Sequence, residues 1–198
     1  MKSKMPSIKV NAILNSIRSI MTIIFPMITY PYVTRVLLAE NLGKVNFASS
    51  TMSYFSLLAV LGLTSYAGRE GIKYRDNQVK LNVFCSELLT LNICTTVFAY
   101  LCLGITVAVF PTFQNYKNLL WIYSITILFS TLGMDWIYTI YEDYAYITKR
   151  SIIIQTLSVI LMFVFVKNKY DIYKYATINV LASVGSNTFN FIHARKYI

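Results

Sequence analysis

NAILNSIRSIMTIIFPMITYPYVTRVLL, residues 11–38, is long and apolar enough to cross a bilayer, yet it contains Arg18, Pro26 and Pro31. A crossing helix needs about 20 mostly apolar residues. An arginine near its middle costs about 2.5–3.5 kcal/mol on insertion scales. Each proline withdraws a backbone donor and favours a kink. A helix that only anchors a protein has no use for these features, whereas one lining a path for a charged, moving substrate does.

The rest of the chain has the same character. Of its 198 residues, 56% are hydrophobic and only 13% charged, and the mean hydropathy is positive. The apolar residues fall into six blocks, at about 12–37, 47–66, 84–110, 118–140, 151–167 and 172–193, the last being the most polar. These blocks take up most of the chain and leave no soluble domain of useful size. The first is too long and too polar internally for a cleaved signal peptide, and no small-residue cleavage site follows it. The sequence therefore predicts an all-α integral membrane protein, a single bundle of about six transmembrane helices over residues 1–198.

The formal net charge is +10, which in a soluble protein would suggest nucleic acid. Here the basic residues sit in short connections between apolar spans, so nucleic acid is not an expected partner. One alternating set of connections holds Lys2, Lys4, Lys9, Arg69, Lys73, Arg75, Lys80, Lys149, Arg150, Arg195 and Lys196, and the other holds Arg35, Lys44, Lys117, Lys167, Lys169 and Lys174. That is eleven against six, with Arg18 left inside the first span. The positive-inside rule then places both termini in the cytoplasm. Cys85, Cys94 and Cys102 all lie in the third block without a C-x-x-C pair, and read as small apolar residues.

The longest connection, YAGREGIKYRDNQVKLN (66–82), reads as a basic cytoplasmic loop with a short interfacial helix, with Ile72, Val79 and Leu81 resting on the membrane surface. LAENLGKVN (38–46) reads as a helix stop followed by a new start. DWIYTIYEDYAYIT (135–148) reads as an aromatic belt at the membrane boundary, formed by Trp136, Tyr138, Tyr141, Tyr144 and Tyr146.

Each span also carries a polar stripe at helical spacing. The stripes are Asn11, Asn15, Arg18/Ser19, Thr22, Pro26 and Thr29; Ser49, Ser53, Ser56 and Thr64; Ser86, Thr90 and Cys94; Ser124, Thr131 and Asp135; Ser151, Gln155 and Ser158; and Asn179, Ser183, Ser186/Asn187 and Asn190. Small hydroxyl residues also hold membrane helices together. The amides and charges are better explained by a shared, hydrated cavity. Arg18 lies about 10 Å into the first span at 1.5 Å per residue. At that depth it either snorkels to the headgroups or faces water and grips a phosphate with its planar fork. Asn15 and Thr22 share its face and are within reach of a sugar or phosphate oxygen. Asp135 reads equally as an interfacial carboxylate or as a partner for a cation, proton or sodium ion. Asn187 and Asn190 complete the set of cavity candidates. Glu87 suits the helix dipole, and Arg35 reads as an outer anchor. With no G-x-S-x-G, H-E-x-x-H or glycine-rich phosphate loop, and a lone His193, hydrolytic or metal chemistry lacks its usual parts, and no cofactor is expected.

FPMITYPYVTRVL (25–37), LGKVNFASS (42–50), GLTSYAGRE (62–70) and GMDWIYTIYEDYAYITKRS (133–151) together resemble bacterial oligosaccharide flippases of the polysaccharide-biosynthesis type. Their superfamily also contains multidrug-and-toxin exporters and lipid-II flippases. The resemblance implies a bacterial inner-membrane transporter that carries undecaprenyl-diphosphate-linked oligosaccharide repeat units, for O-antigen, lipopolysaccharide or capsule, from the cytoplasmic to the outer leaflet. It also implies a proton or sodium gradient as driver, and Arg18 by position as the cation that holds the diphosphate. Six spans correspond to the N-terminal lobe of a two-lobe flippase. The chain is then expected to be a fragment of a longer flippase, a half that pairs with a separately encoded second six-helix half, or a copy that pairs with itself, with polysaccharide polymerase machinery as a further partner. Thr64 stands where the family often has proline, and Thr139-Ile140 where it often has glutamine-glycine. An ion-coupled multidrug-type exporter and a non-transporting membrane scaffold are the competing readings.

Overall fold

In a computed structural model describing residues 8–197, every element among the described residues is a helix: α1 (Ile8–Val60), α2 (Leu63–Tyr74), α3 (Gln78–Val109), α4 (Pro111–Gln114), α5 (Lys117–Leu132), α6 (Asp135–Ile140), α7 (Tyr144–Phe165) and α8 (Ile172–Ala194). A straight helix as long as α1 would extend about 80 Å, far more than a bilayer. It does not run straight. Leu38, at φ 64° and ψ 162°, interrupts it. Arg18 on the limb before this break and Val60 on the limb after it border the same cavity. The chain therefore folds back at Leu38, and α1 is two crossings. Pro26 and Pro31 lie inside the first limb, and Leu38 is where the backbone departs from helical angles. The residues 38–46 expected as a stop and restart are thus a one-residue break followed by helix.

Among the described residues, four helical stretches are long and apolar enough to cross a membrane: Ala12–Tyr74, Gln78–Val109, Lys117–Ile140 and Tyr144–Phe165. The first holds both limbs of α1. The more polar α8 packs against α5 and α7, completing an all-α membrane bundle of about six crossings.

Among the described residues, three apolar clusters hold the bundle together. The second limb of α1, α3, α5 and α8 meet through Ala48, Met52, Ala59, Ala99, Leu103, Leu120, Ile127 and Ala176. Its alanines are fully buried, and such small side chains let membrane helices approach closely, which is where packing energy comes from when lipid is as apolar as the core. The first limb of α1 packs on α7 and α8 through Val33, Leu37, Met162, Val166 and Ile178, and the Tyr32 hydroxyl donates to Val166 O at 2.7 Å. The third cluster joins α2, the start of α3 and α6 through Ala67, Leu81, Phe84, Leu88, Trp136, Ile137 and Ile140. On the outside, Ile153, Leu157, Ile160 and Val164 line one exposed face of α7, and Val97, Leu101 and Ile105 one of α3. These suit lipid, which solvates apolar side chains but not open backbone.

Caps set the boundaries that the apolar blocks blurred. Asn77 Oδ1 accepts from Lys80 N–H at 3.1 Å, so α3 starts six residues before the third block. Asp143 Oδ1 accepts from Tyr146 N–H at 3.2 Å, so α7 starts seven residues before the fifth. Both are N-caps of the usual side-chain type. Between α7 and α8, the Asp171 carboxylate accepts from Lys167 and Asn168 N–H at 3.0 Å each and pairs with Lys174 at 2.7 Å. The Lys174 bond, followed by these backbone bonds, holds its pKa down to about 2. Its contribution to the turn is therefore present above the ordinary carboxylate range and is lost only as pH falls toward 2.

The connection 66–82 is mostly helical. α2 is basic and exposed on one side and buries Ala67, Gly68 and Gly71 on the other. Ile72 and Val79 are exposed as a surface-resting face requires, whereas Leu81 is buried in the core. The fourth block is not one helix: Met134, left-handed at φ 45°, separates α5 from α6. The aromatic belt also changes meaning. Trp136 and Tyr138 are buried among protein side chains rather than spread along a lipid boundary, and Tyr141, Tyr144 and Tyr146 are half-buried.

α2 rests on α6 because Gly71 has no side chain. A Cβ there would come within 2.8 Å of Ile140 Cγ1 and 3.3 Å of Phe84 Cε1, both in the packed third cluster. Gly71→Val is expected to destabilise the protein by about 1–3 kcal/mol through overpacking. Gly43→Ala, where a Cβ meets nothing within 4 Å, is expected to be neutral or slightly stabilising. Thermal unfolding of both variants in detergent checks the pair.

Candidate functional site

The polar residues of the bundle converge on a half-open cavity of about 490 Å³. Every crossing contributes to its wall: Arg18 and Val60 from α1, Asn92 from α3, Ser130 from α5, Arg150, Ser151 and Gln155 from α7, and Ser183, Ser186 and Asn187 from α8, joined by Thr64 of α2 and by Asp135 and Trp136 of α6. The cavity runs from the bundle end that carries α2 and α6 to about halfway along α3, α7 and α8.

Its charged part is built around Arg150. This residue lies on the second turn of α7 because the Asp143 cap starts that helix early, so it is not the loop residue that its position beside Lys149 suggested. Its side chain is 6% exposed, with Nη1 3.6 Å from Asp135 Oδ1 and donating to Ser186 O at 3.2 Å. Its Nε has no hydrogen-bond partner among the described residues. Asp135 is placed by the break at Gly133–Met134, which turns the chain so that α6 begins at the cavity wall. A Cβ on Gly133 would stand 2.5 Å from Asn187 Oδ1, so this glycine lets the end of α5 approach α8.

Behind Asp135 a set of hydrogen bonds fixes the carboxylate. Fully buried Asn190 donates from Nδ2 to Asp135 Oδ1. Its own main-chain oxygen accepts from the Tyr138 hydroxyl at 2.5 Å. Tyr138 in turn stacks on Tyr146 at 5.2 Å, and Tyr146 lies flat on His193 at 3.8 Å between ring centres. Tyr197 caps this aromatic group and donates to Asp143 Oδ2 at 2.7 Å. Toward the middle of the bundle the cavity wall is neutral. Asn92 Oδ1 and Gln155 Oε1 are buried there without a hydrogen-bond partner among the described residues. Such groups are costly to leave unmade in an apolar setting, and they can accept from hydroxyl or amide donors of a ligand.

The structure brings three of the six sequence candidates, Arg18, Asp135 and Asn187, to the cavity wall and sets Asn190 directly behind it. Asn15 and Thr22 are not in that wall. Asn15 is exposed, and the Thr22 hydroxyl turns back to Ser19 O at 2.6 Å. Other stripe members satisfy themselves in the same way: Thr90 bonds Ser86 O at 2.8 Å and Ser53 bonds Ser49 O at 3.0 Å. A hydroxyl that bonds its own helix needs no cavity. The Asn11 side chain lies outside the described residues. The residues that sequence reasoning missed are Arg150, Asn92 and Ser130. For Arg150 the available signal was the Asp143 cap three residues before Tyr146.

Over residues 8–198 the sequence matches the family described as polysaccharide biosynthesis protein. The chain belongs to this family. It is also similar to the "Putative O-antigen transporter" of Escherichia coli (strain K12), at 24% identity over 149 residues, which is 75% of this chain and 36% of the relative. The chain thus spans about a third of the length of that curated relative. No solved structure matches.

Removing the Tyr138 hydroxyl should loosen the wall behind Asp135. Tyr138→Phe is expected to cost about 1–2 kcal/mol, because it deletes a buried hydrogen bond to the Asn190 carbonyl. Tyr146→Phe, whose lost hydroxyl donates to Phe189 O in an exposed position, is expected to cost less. Unfolding midpoints of the two variants in detergent give the comparison.

Proposed function

We propose that this chain forms a lobe of a flippase that moves undecaprenyl-diphosphate-linked oligosaccharide repeat units from the cytoplasmic to the outer leaflet of the bacterial inner membrane, and that it is not an enzyme. The observation that carries this reading is the composition of the cavity. Among the described residues its charged lining is Arg18, Arg150 and Asp135, a net charge of one positive. Such a site attracts an anionic group and repels a cation. Arginine is also the side chain whose planar fork best matches phosphate. The neutral amides and serines farther in suit the hydroxyls of a sugar. Family membership and the similarity to an O-antigen transporter support the same reading.

The cation-exporter alternative needs a carboxylate free to bind its cargo. Asp135 is instead engaged by Arg150 and Asn190, which favours the flippase. Orientation follows from charge. With Arg150 moved into the bundle, the cavity end holds eight basic residues among the described residues, Lys9, Arg69, Lys73, Arg75, Lys80, Lys149, Arg195 and Lys196, against six at the other end. The cavity then opens to the cytoplasm, where a lipid-linked sugar is assembled. Two-lobe transporters bind substrate between their halves, so the second wall comes from another six-helix half or from a second copy of the chain. Coupling to a proton or sodium gradient belongs to this proposal as its driving force.

Arg18→Ala, made in a complete two-lobe flippase, is expected to reduce surface polysaccharide at least tenfold while the protein still inserts at its normal level. Immunoblots of membranes and of surface polysaccharide measure the two quantities, and undiminished export would remove Arg18 from the mechanism. Expressing residues 1–198 in a flippase-null strain, with and without a second half, tests the partner. Rescue only when both halves are present is the expected result.

A further inference from the structure

Arg150 is deeply buried and already engaged, while the carboxylate that engages it is not buried. The Asp135 side chain is 53% exposed to the cavity, against 6% for Arg150. Their separation of 3.6 Å is that of an ion pair rather than of a close bidentate fork. Arg150 keeps one further anchor, Ser186 O at 3.2 Å, and an unpartnered Nε. Asp135 keeps its own, Asn190 Nδ2. Each partner is therefore held by a neutral group that remains in place if the pair separates. Burying a lone guanidinium in a bundle is costly, so some anion must stay beside Arg150 in every state of the protein.

We propose that Asp135 is an internal counter-ion, which occupies Arg150 while the cavity is empty and gives it up when a phosphate-type anion enters. The proposal rests on the flippase reading only for the source of that phosphate. In the empty cavity Asp135 satisfies Arg150 and keeps stray anions from binding tightly. An entering phosphate replaces one oxygen anion by another at the guanidinium, and Arg18 on the same wall adds the second cation. Asp135 then turns toward the open lumen, where water solvates it, still tethered by Asn190. Binding and release become an exchange of partners on Arg150 rather than the creation and loss of a bare buried charge. Asp135 sets affinity from within, as a positioning residue.

The test is binding of inorganic pyrophosphate to the purified full chain in detergent at low salt, followed by calorimetry. Asp135→Asn, which keeps the size and can still accept from Asn190, is expected to tighten binding about tenfold. The gain should vanish in the Asp135→Asn/Arg150→Gln double variant when compared with Arg150→Gln alone. An equal gain in the Arg150→Gln background would mean that Asp135 acts only through the general field of the cavity, and would overturn the pairing. No gain from Asp135→Asn, or no pyrophosphate binding in any variant, would overturn the proposal as well. The flippase reading is judged separately by the export assay on Arg18→Ala, so the two can fail independently.

A second readout needs no ligand. Phenylglyoxal should modify Arg150 several-fold faster in Asp135→Asn than in the parent, with the rate at Arg18 unchanged, as followed by peptide mass spectrometry. Equal rates at Arg150 would count against masking. If Asp135→Asn folds poorly, Asp135→Ser serves in both assays. Competition separates the sources of phosphate: displacement of pyrophosphate by a soluble prenyl diphosphate but not by phosphatidylglycerol micelles supports a lipid-linked diphosphate. Displacement by phosphatidylglycerol overturns that source.

Discussion

A guanidinium inside a membrane bundle must keep a counter-charge and hydrogen-bond acceptors beside it, and the architecture around Arg150 answers that requirement. Leaving a buried guanidinium without its partner is costly, because a bare charge is left in a low-dielectric setting. Everything near Arg150 is arranged to prevent that. The helix break at Gly133–Met134 delivers Asp135, and α8 supplies both the Ser186 carbonyl and the Asn190 amide. The tyrosine and histidine stack fills the space behind them. The short α6, which looks like a defect in a crossing helix, is the element that carries the countercharge.

The same constraint explains why the polar residues divide into two populations. Lipid offers no hydrogen bonds, so a hydroxyl on an outer face bonds the carbonyl of its own preceding turn, as Thr90 and Ser53 do. Between helices, hydroxyls join across the interface: Thr96 and Thr131 lie 2.6 Å apart, tying α3 to α5, and Thr95 bonds Ala59 O at 2.5 Å, tying α3 to α1. Amides and charges have more groups to satisfy than one turn can supply. They therefore collect where water or a ligand can reach them. Polarity alone does not mark the cavity; the number of unsatisfied donors and acceptors per side chain does.

That difference governs how much was legible in the sequence. Block length and hydropathy identify a membrane bundle, and the charge of Arg18 and Asp135 inside apolar blocks draws attention to residues that line its cavity. Helical spacing failed for Asn15 and Thr22 because a shared face with Arg18 says nothing about where the neighbouring helices lie. Arg150 was misread because a basic pair next to an apolar block looks like a loop. The Asp143 cap had in fact begun the helix well before that block. The stop and restart over 38–46 were legible in the sequence, but their reduction to one non-helical residue at Leu38 was not, since neither glycine nor proline stands there. Tyr138 and Trp136 have the composition of an interfacial belt, and only the fold of α6 back onto α8 and α2 turns them inward.

The depth profile of the cavity bears on what a ligand must look like. Arg150 and Gln155 lie five residues apart on α7, about 7.5 Å along the helix at 1.5 Å per residue. Over that distance the wall changes from ionic to neutral. A simple anion would use only the first part, and a neutral sugar would leave the arginines to their internal partner. A ligand with a phosphate joined to a hydroxyl-rich portion would engage both, and would satisfy the buried Asn92 and Gln155 oxygens while drawing Arg150 from Asp135. In that arrangement the two halves of the ligand would reinforce each other: the phosphate competes with a carboxylate already in place, and the sugar adds binding energy to the exchange. Such a cavity would favour a phosphate carried on a sugar over a phosphate alone.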